Sequence, residues 1–177
     1  MNLTKYEKDL RRWMLQTSDL VMHQFALSCA QHAIYDDRIL DSFLFPQAEQ
    51  LLLTKQQWLL TPHSFSQQLH DMQWALHLEV EQTQGLPQAL YLASSAVFWA
   101  AEQQRFVQWF STHIQLSFWK CSQAVCLLAG RRHSTPYKEE LARQQQVLIE
   151  LRDAHRRAAS DDSILHSQHA WEEALFS

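Results

Sequence analysis

Glycine is almost absent from this chain of 177 residues, which contains only Gly85 and Gly130. Tight hairpin turns need residues that tolerate a positive φ, and phosphate-binding loops need several glycines where the backbone approaches the ligand. The composition therefore argues against a β sandwich or barrel with many tight turns. It also excludes a Walker loop and a dinucleotide-binding fingerprint.

Cysteine and excess positive charge are also lacking. The three cysteines form no CxxC pair, and an odd number of cysteines is typical of a reduced, cytosolic protein. The net charge of −4 argues against a globally basic nucleic-acid binder. The N-terminal region is charged and shows no signal-peptide pattern, and polar residues interrupt the longest weakly charged run, 106–129. We therefore expect a cytoplasmic protein without a membrane-spanning helix.

Apolar residues recur at intervals of three or four along most of the chain, and this spacing predicts helices. Thr61, Gly85, Pro87, Gly130 and the 134–136 segment mark helix boundaries. The predicted helices are 3–33, 36–53, 62–84, 87–128 with a break near 111–113, 136–159, and a short one from Ser160 to 175. We therefore predict an all-α bundle of about five or six helices, several of them long. The bundle either divides into an N-terminal half, 1–105, and a C-terminal half, 106–177, or forms one continuous domain.

Histidine is abundant, with ten residues, but its spacing does not favour a metal site. His63, His70 and His77 lie two helical turns apart, so their side chains cannot converge on one ion. No Glu-x-x-His motif is present, which argues against a di-iron bundle. A second set, with spacings of three and four, is a weak metal candidate and comprises His166, His169 and Glu173. We predict neither a metal nor a cofactor.

Cysteine and aromatic side chains are predicted to lie in the core. The cysteines Cys29, Cys121 and Cys126 fall on apolar helix faces, as buried structural thiols do, and nothing in the sequence indicates an enzyme. The aromatic run is more typical of a core than of a stacking platform for single-stranded nucleic acid. Its members are Phe98, Trp99, Phe106, Trp109, Phe110, Phe118 and Trp119.

Basic side chains are concentrated in one segment, 131–157, which contains seven Lys and Arg residues against four acidic ones. Two interpretations of this segment stay open. The charges are scattered over a solvated helix face, or they form one face that holds phosphates or a peptide carboxylate.

Three segments resemble the primosomal replication protein N″ (PriC) family of small helical proteins. The first is 41–45, Asp-Ser-Phe-Leu-Phe, which resembles the aromatic start of that family's second helix. The second, 80–93, resembles its central VEQ–Q–LPQ–aromatic–LA stretch, and the third, 137–145, resembles its Tyr–Leu-Ala–His-Gln helix. The resemblance covers about residues 5–157, with the segments in the family's order.

This resemblance implies a non-enzymatic adaptor of DNA replication restart. The family binds the acidic, hydrophobic C-terminal tail of single-stranded DNA-binding protein and single-stranded DNA at stalled forks, and it helps to load the replicative helicase. Its aromatic-Glu-Arg-Arg-Leu motif is not kept, because 147–151 of this chain is Val-Leu-Ile-Glu-Leu. We therefore predict that Arg143, Arg152 and Arg156, near Tyr137, form the tail site. The full set of candidate residues for the tail or DNA is Trp119, Lys120, Arg131, Arg132, Tyr137, Lys138, Arg143, Arg152, Arg156 and Arg157.

Two other functions stay open at this point. The abundant histidine and a bundle cavity fit a helical protein that binds a small ligand or a metal. A helical interaction protein with an unrelated partner is equally compatible with the sequence.

Overall fold

The computed structural model describes residues 5–103 and 112–175, and side chains within 5–103 (Tyr6 excepted) and 116–160. This part of the chain is all-helical, which confirms the predicted fold class, but it contains eight helices rather than five or six. They are α1 (Lys5–Leu15), α2 (Asp19–Ile34), α3 (Asp37–Leu40), α4 (Phe45–Leu60), α5 (Pro62–Gln82), α6 (Gln88–Ala100), α7 (Thr112–Ala129) and α8 (Thr135–Leu175).

The predicted helix over 3–33 is wrong, because the chain breaks at 16–18 between α1 and α2. The Thr17 hydroxyl donates to the carbonyl of Trp13 at 2.6 Å, and Ser18 is extended, with φ −66° and ψ 157°. Short hydroxyl side chains offer the backbone hydrogen bonds that compete with a continuous helix. Because of this break, α1 and α2 are separate helices rather than one continuous helix.

The predicted helix over 36–53 is also divided, into α3 and α4. Asp36 begins α3 by accepting a hydrogen bond from the backbone N–H of Arg38. Pro46 lies in the first turn of α4, where its missing N–H costs no helical hydrogen bond. Pro46 therefore begins a helix at this point.

The predicted end of a helix at Ser160 is wrong as well, since α8 runs unbroken through this position. Ser160 does not act as a cap: its hydroxyl donates to the carbonyl of Arg156 at 2.9 Å, within the helix. The segment contains neither glycine nor proline to end it.

The two glycines lie at connections, as predicted. Gly85 has a φ of +71° between α5 and α6, a conformation that glycine adopts without steric cost. Gly130 follows α7, where an added Cβ would lie 2.6 Å from Ser134 Oγ and 3.2 Å from Pro136 Cβ. This close approach of α7 to the start of α8 therefore favours glycine, since any larger residue would displace Ser134 and Pro136.

The central element is α2, which packs against α4, α6, α7 and α8. Its side chains Met22, Phe25 and Ile34 are fully buried, and the ring of His23 packs edge-on against Trp58 and Phe118. Burying a large apolar side chain contributes about 1.5–3 kcal/mol to the free energy of unfolding. One hydrophobic cluster extends from α1 to α8. Within the described residues, no helix is long and apolar enough to cross a membrane.

A buried carboxylate holds α1 against the start of α8. Glu7 is fully buried, and it accepts a hydrogen bond from the Tyr137 hydroxyl at 2.7 Å. Arg132 donates to both carboxylate oxygens, at 3.1 and 3.2 Å. An ionised carboxylate is stable in the interior only when it is paired and hydrogen-bonded. Docking of α1 therefore depends on these contacts.

Tyr137→Phe is expected to lower the free energy of unfolding by about 1.5–3 kcal/mol, because it removes a hydrogen bond to a buried charge. Urea denaturation followed by circular dichroism measures the change. Tyr35→Phe is the matched control: it removes the hydroxyl that donates to Glu49 on an exposed site, and it should cost much less. Equal losses in the two variants would contradict the role given to Glu7.

Candidate functional site

The structure does not bring the predicted arginines of α8 to one face. Arg143 and Arg152 are nine positions apart on a continuous helix, so their side chains leave α8 about 180° apart. Tyr137, expected beside them at the surface, is only 1% exposed. The prediction that Arg143, Arg152 and Arg156 form a single face near Tyr137 is therefore wrong.

Arg143 is engaged inside the protein. Its Nε and Nη2 donate to the two carboxylate oxygens of Glu140, both at 2.8 Å. Glu140 also accepts from Gln144 at 2.9 Å and lies 3.2 Å from His32 Nε2. Gln144 in turn accepts a hydrogen bond from Ser122 at 2.5 Å. This arrangement joins α2, α7 and α8 rather than presenting a free guanidinium.

These contacts shift the acidity of Glu140. Burial by itself would raise the pKa of this carboxyl group, but the hydrogen bonds from Arg143, His32 and Gln144 together outweigh burial and lower it to about 2. Glu140 is therefore charged throughout the neutral range and serves as a structural anion.

The other candidates on α8 and the preceding turn lie at separate places. Arg152 and Arg156 line a small cavity of about 110 Å³ beside the 16–18 turn. Arg131, Lys138 and Arg157 are exposed. On α8, Lys138, Arg152 and Arg156 lie within about 40° of one another around the helix axis, whereas Arg157 lies about 100° away, so only part of the set shares one side.

A larger groove lies along the surface of α7 and brings three of the predicted residues together. Its volume is about 520 Å³, and its lining is mainly apolar. Trp119, Lys120 and Arg132, three of the candidate residues for the tail or DNA, line it, although Trp119 is mostly buried. The remaining lining residues are Arg11, Leu92, Leu116, Gln123, Ala124 and Leu127. We name this surface the α7 groove.

The α7 groove combines exposed apolar side chains with positive charge. Leu116 and Leu127 are 44% and 42% exposed, and they border the same groove. Arg11, Lys120 and Arg132 are cationic side chains, and no acidic side chain is among the lining residues that the structure describes. The chemistry of this surface is therefore that of a site for an apolar group carrying negative charge.

Two internal contacts position the cations of the groove. The ion pair with buried Glu7 holds Arg132, whose side chain remains 31% exposed. Lys120 Nζ lies 4.0 Å from the ring centroid of Trp99, within the range of a cation–π contact. Because both cations have a preferred place, less side-chain entropy is lost when an anion binds between them.

Sequence reasoning missed Arg11 and the two exposed leucines. Leu116, Trp119, Gln123 and Leu127 follow one another at spacings of three and four, so the stripe could have been found as a second face of α7. Arg11 reaches the groove only because α1 docks there, and no local pattern indicates that contact.

The remaining chemical candidates do not form a site in the described part of the chain. Cys29, Cys121 and Cys126 are buried, and burial raises the pKa of each thiol, which disfavours the reactive thiolate. His63 and His70 are exposed. Among the residues searched, no group of three His, Cys, Asp or Glu residues could hold a metal ion.

Several sequence candidates lie outside the described residues or side chains. They are Phe106, Trp109, Phe110, His166, His169 and Glu173. Of the rest of the aromatic run, Phe118 and Trp119 are buried, as predicted, while Phe98 and Trp99 are partly exposed.

Comparison with protein-family models, with curated proteins and with solved structures gave no match to this chain. The resemblance to the replication-restart family therefore rests on the three segments quoted above.

Glu140 is expected to make the stability depend on acid pH. Its folded pKa, about 2, lies below its ordinary value of 4.5, so its stabilising effect is complete above pH 4.5 and is lost as the pH falls towards 2. The loss amounts to about 3 kcal/mol. Urea denaturation of Glu140→Gln and of the parent protein should differ strongly at pH 6 and converge near pH 2. Glu150→Gln, at an exposed carboxylate on the same helix, is the control; a similar pH dependence there would contradict the assignment.

Proposed function

We propose that this chain is a non-enzymatic helical adaptor that binds an acidic peptide tail in the α7 groove. The occupant we propose is the C-terminal tail of single-stranded DNA-binding protein, which is acidic and ends in an apolar residue. The observation that supports this choice is the combination of an apolar groove with three cationic side chains, of which Arg132 is paired with Glu7, and no acidic one among the described lining residues.

The two parts of such a tail complement the two parts of the groove. An aromatic or aliphatic end would be buried between Leu116, Trp119 and Leu127, which removes apolar surface from water. Its terminal carboxylate and neighbouring aspartates would contact Arg11 and Lys120. The local positive charge also attracts an acidic tail from solution, although the whole protein carries a net negative charge.

The wider role follows from the resemblance to the primosomal replication protein N″ family. We propose that this chain is a divergent, cytoplasmic member that acts in replication restart, contacts single-stranded or forked DNA and assists loading of the replicative helicase. Exposed Arg131, Lys138, Arg156 and Arg157 are the candidates for phosphate contacts. The relocated tail site takes the place of the family motif that 147–151 lacks.

A second candidate function uses the same groove. Its volume, about 520 Å³, lies within the range of small-molecule sites, about 300–1,000 Å³. An amphipathic organic anion would satisfy the same apolar lining and cations. Native mass spectrometry of the purified protein distinguishes this candidate, because a bound small molecule adds a discrete mass and a peptide-binding protein carries none.

Fluorescence anisotropy with a labelled peptide of several aspartates ending in phenylalanine tests the tail site. We expect binding that weakens steeply with salt, because ion pairs at the rim are screened. Lys120→Glu should weaken binding about tenfold or more, since it replaces an attractive charge with a repulsive one. Arg157→Glu is the control. It makes the same charge change on α8, about 30 Å along the helix from Tyr137, and it should leave the Kd of the peptide unchanged.

Three outcomes would contradict the proposal. They are an absence of binding at low salt, equal losses in Lys120→Glu and Arg157→Glu, and equal affinity for a peptide in which alanine replaces the terminal phenylalanine. The first excludes the tail site, the second indicates general attraction to positive charge, and the third excludes the apolar groove as the place of binding.

A further inference from the structure

A second exposed cleft lies between α5 and α6 and has the opposite chemistry. Its volume is about 100 Å³, which is too small for a nucleotide or a typical cofactor but suits the end of one side chain. Four aromatic rings line it, namely His77, Tyr91, Phe98 and Trp99, and Glu81 provides a carboxylate. We name it the α5–α6 cleft.

Three of the rings that line this cleft, His77, Phe98 and Trp99, form a connected, partly exposed cluster. His77 and Phe98 have ring centroids 5.1 Å apart, and Phe98 and Trp99 are also 5.1 Å apart. Trp74 continues the cluster at 5.9 Å from Phe98. Trp74 and Tyr91 remain 45% and 50% exposed. Large aromatic side chains left open beside a cavity are typical of a recognition site rather than of a core.

The helices that form the cleft, α5 and α6, carry acidic side chains but no Lys or Arg, although Lys120 of α7 lies over Trp99. Between Lys55 and Arg105 the chain contains no Lys or Arg residue. The acidic residues in this stretch are Asp71, Glu79, Glu81 and Glu102. A nucleic acid would therefore be repelled here through its phosphates. A cation would be attracted both by the carboxylates and by the negative faces of the aromatic rings.

We propose that the α5–α6 cleft binds the guanidinium group of an arginine side chain from a basic partner protein. A guanidinium is planar, stacks on aromatic faces and forms two parallel hydrogen bonds with a carboxylate, so it matches Tyr91 and Glu81 together. An ammonium group carries the same charge, but it is not planar and does not offer two parallel hydrogen-bond donors. The cleft would thus distinguish arginine from lysine.

Lys120 is a neighbouring cation. It lies over Trp99 but lines the α7 groove and not the α5–α6 cleft. The two surfaces therefore adjoin at the contact of Lys120 with Trp99. The proposal is independent of the acidic tail, because it concerns another surface and a partner of opposite charge.

Isothermal titration calorimetry with a short arginine–serine peptide tests the cleft. Two matched peptides replace arginine with lysine or with citrulline, which keeps the planar end but carries no charge. We expect the arginine peptide to bind most tightly and the citrulline peptide least. Binding should also shift the indole N–H resonance of Trp99 in the nuclear magnetic resonance spectrum.

Two exposed residues provide variants that preserve the fold. Glu81→Gln should weaken arginine binding about tenfold, because a charge-assisted pair becomes a neutral contact. Tyr91→Ala should weaken it by a similar factor through loss of the stacked ring. Asp71→Asn removes the same charge elsewhere on α5 and should leave the Kd unchanged.

Several results would overturn the proposal. Equal affinity for arginine and lysine, or equal losses in Glu81→Gln and Asp71→Asn, would indicate general attraction to an acidic surface. Binding of citrulline as tight as arginine would exclude a site for a cation. Absence of binding at low salt would exclude the site altogether, without bearing on the acidic tail in the α7 groove.

Discussion

The buried carboxylate of Glu7 is the contact on which the surface architecture depends. A charge in the interior is tolerated only when partners surround it, and Tyr137 and Arg132 supply them from the far end of the sequence. This requirement docks α1 against α7 and α8. It also places Arg11 beside the α7 groove and holds Arg132 at its edge. A short amphipathic helix that is marginal on its own thus becomes one wall of a binding surface.

The same electrostatic requirement explains why arginine content was a poor guide to the site. Arg132 and Arg143 are both paired with buried acids, Glu7 and Glu140. The pair of Arg132 with Glu7 joins segments that are distant in sequence. The pair of Arg143 with Glu140 supports a polar layer between helices. A basic segment therefore contains arginines of two kinds, some that stabilise the interior and some that face solvent. The amino-acid composition does not distinguish the two kinds of arginine. They can be distinguished only once the structure shows which of them have buried acidic partners.

Local signals predicted the helices well where the backbone chemistry is decisive. Gly85 and Pro62 mark helix ends because each changes what the backbone can do, and Gly130 marks one where α8 begins close by. Pro46 was the exception, since the predicted helix over 36–53 ran through it while α4 begins there. The break at Thr17 and the continuation through Ser160 were missed, because a hydroxyl side chain serves equally well in a turn or within a helix. The groove was found only in part, since Trp119 and Lys120 lie on one helix but Arg11 reaches it through tertiary packing.

Charge in this protein is segregated by surface rather than by overall composition. The α7 groove is lined by cations, the α5–α6 cleft by aromatic rings and a carboxylate, and one contact connects them, that of Lys120 with Trp99. A net charge of −4 describes neither surface. The two surfaces adjoin at this contact, so the sign that each presents to a partner is set by its own lining side chains. On the two proposals made above, a single helical scaffold would hold an acidic segment and a basic one at the same time, as an adaptor requires.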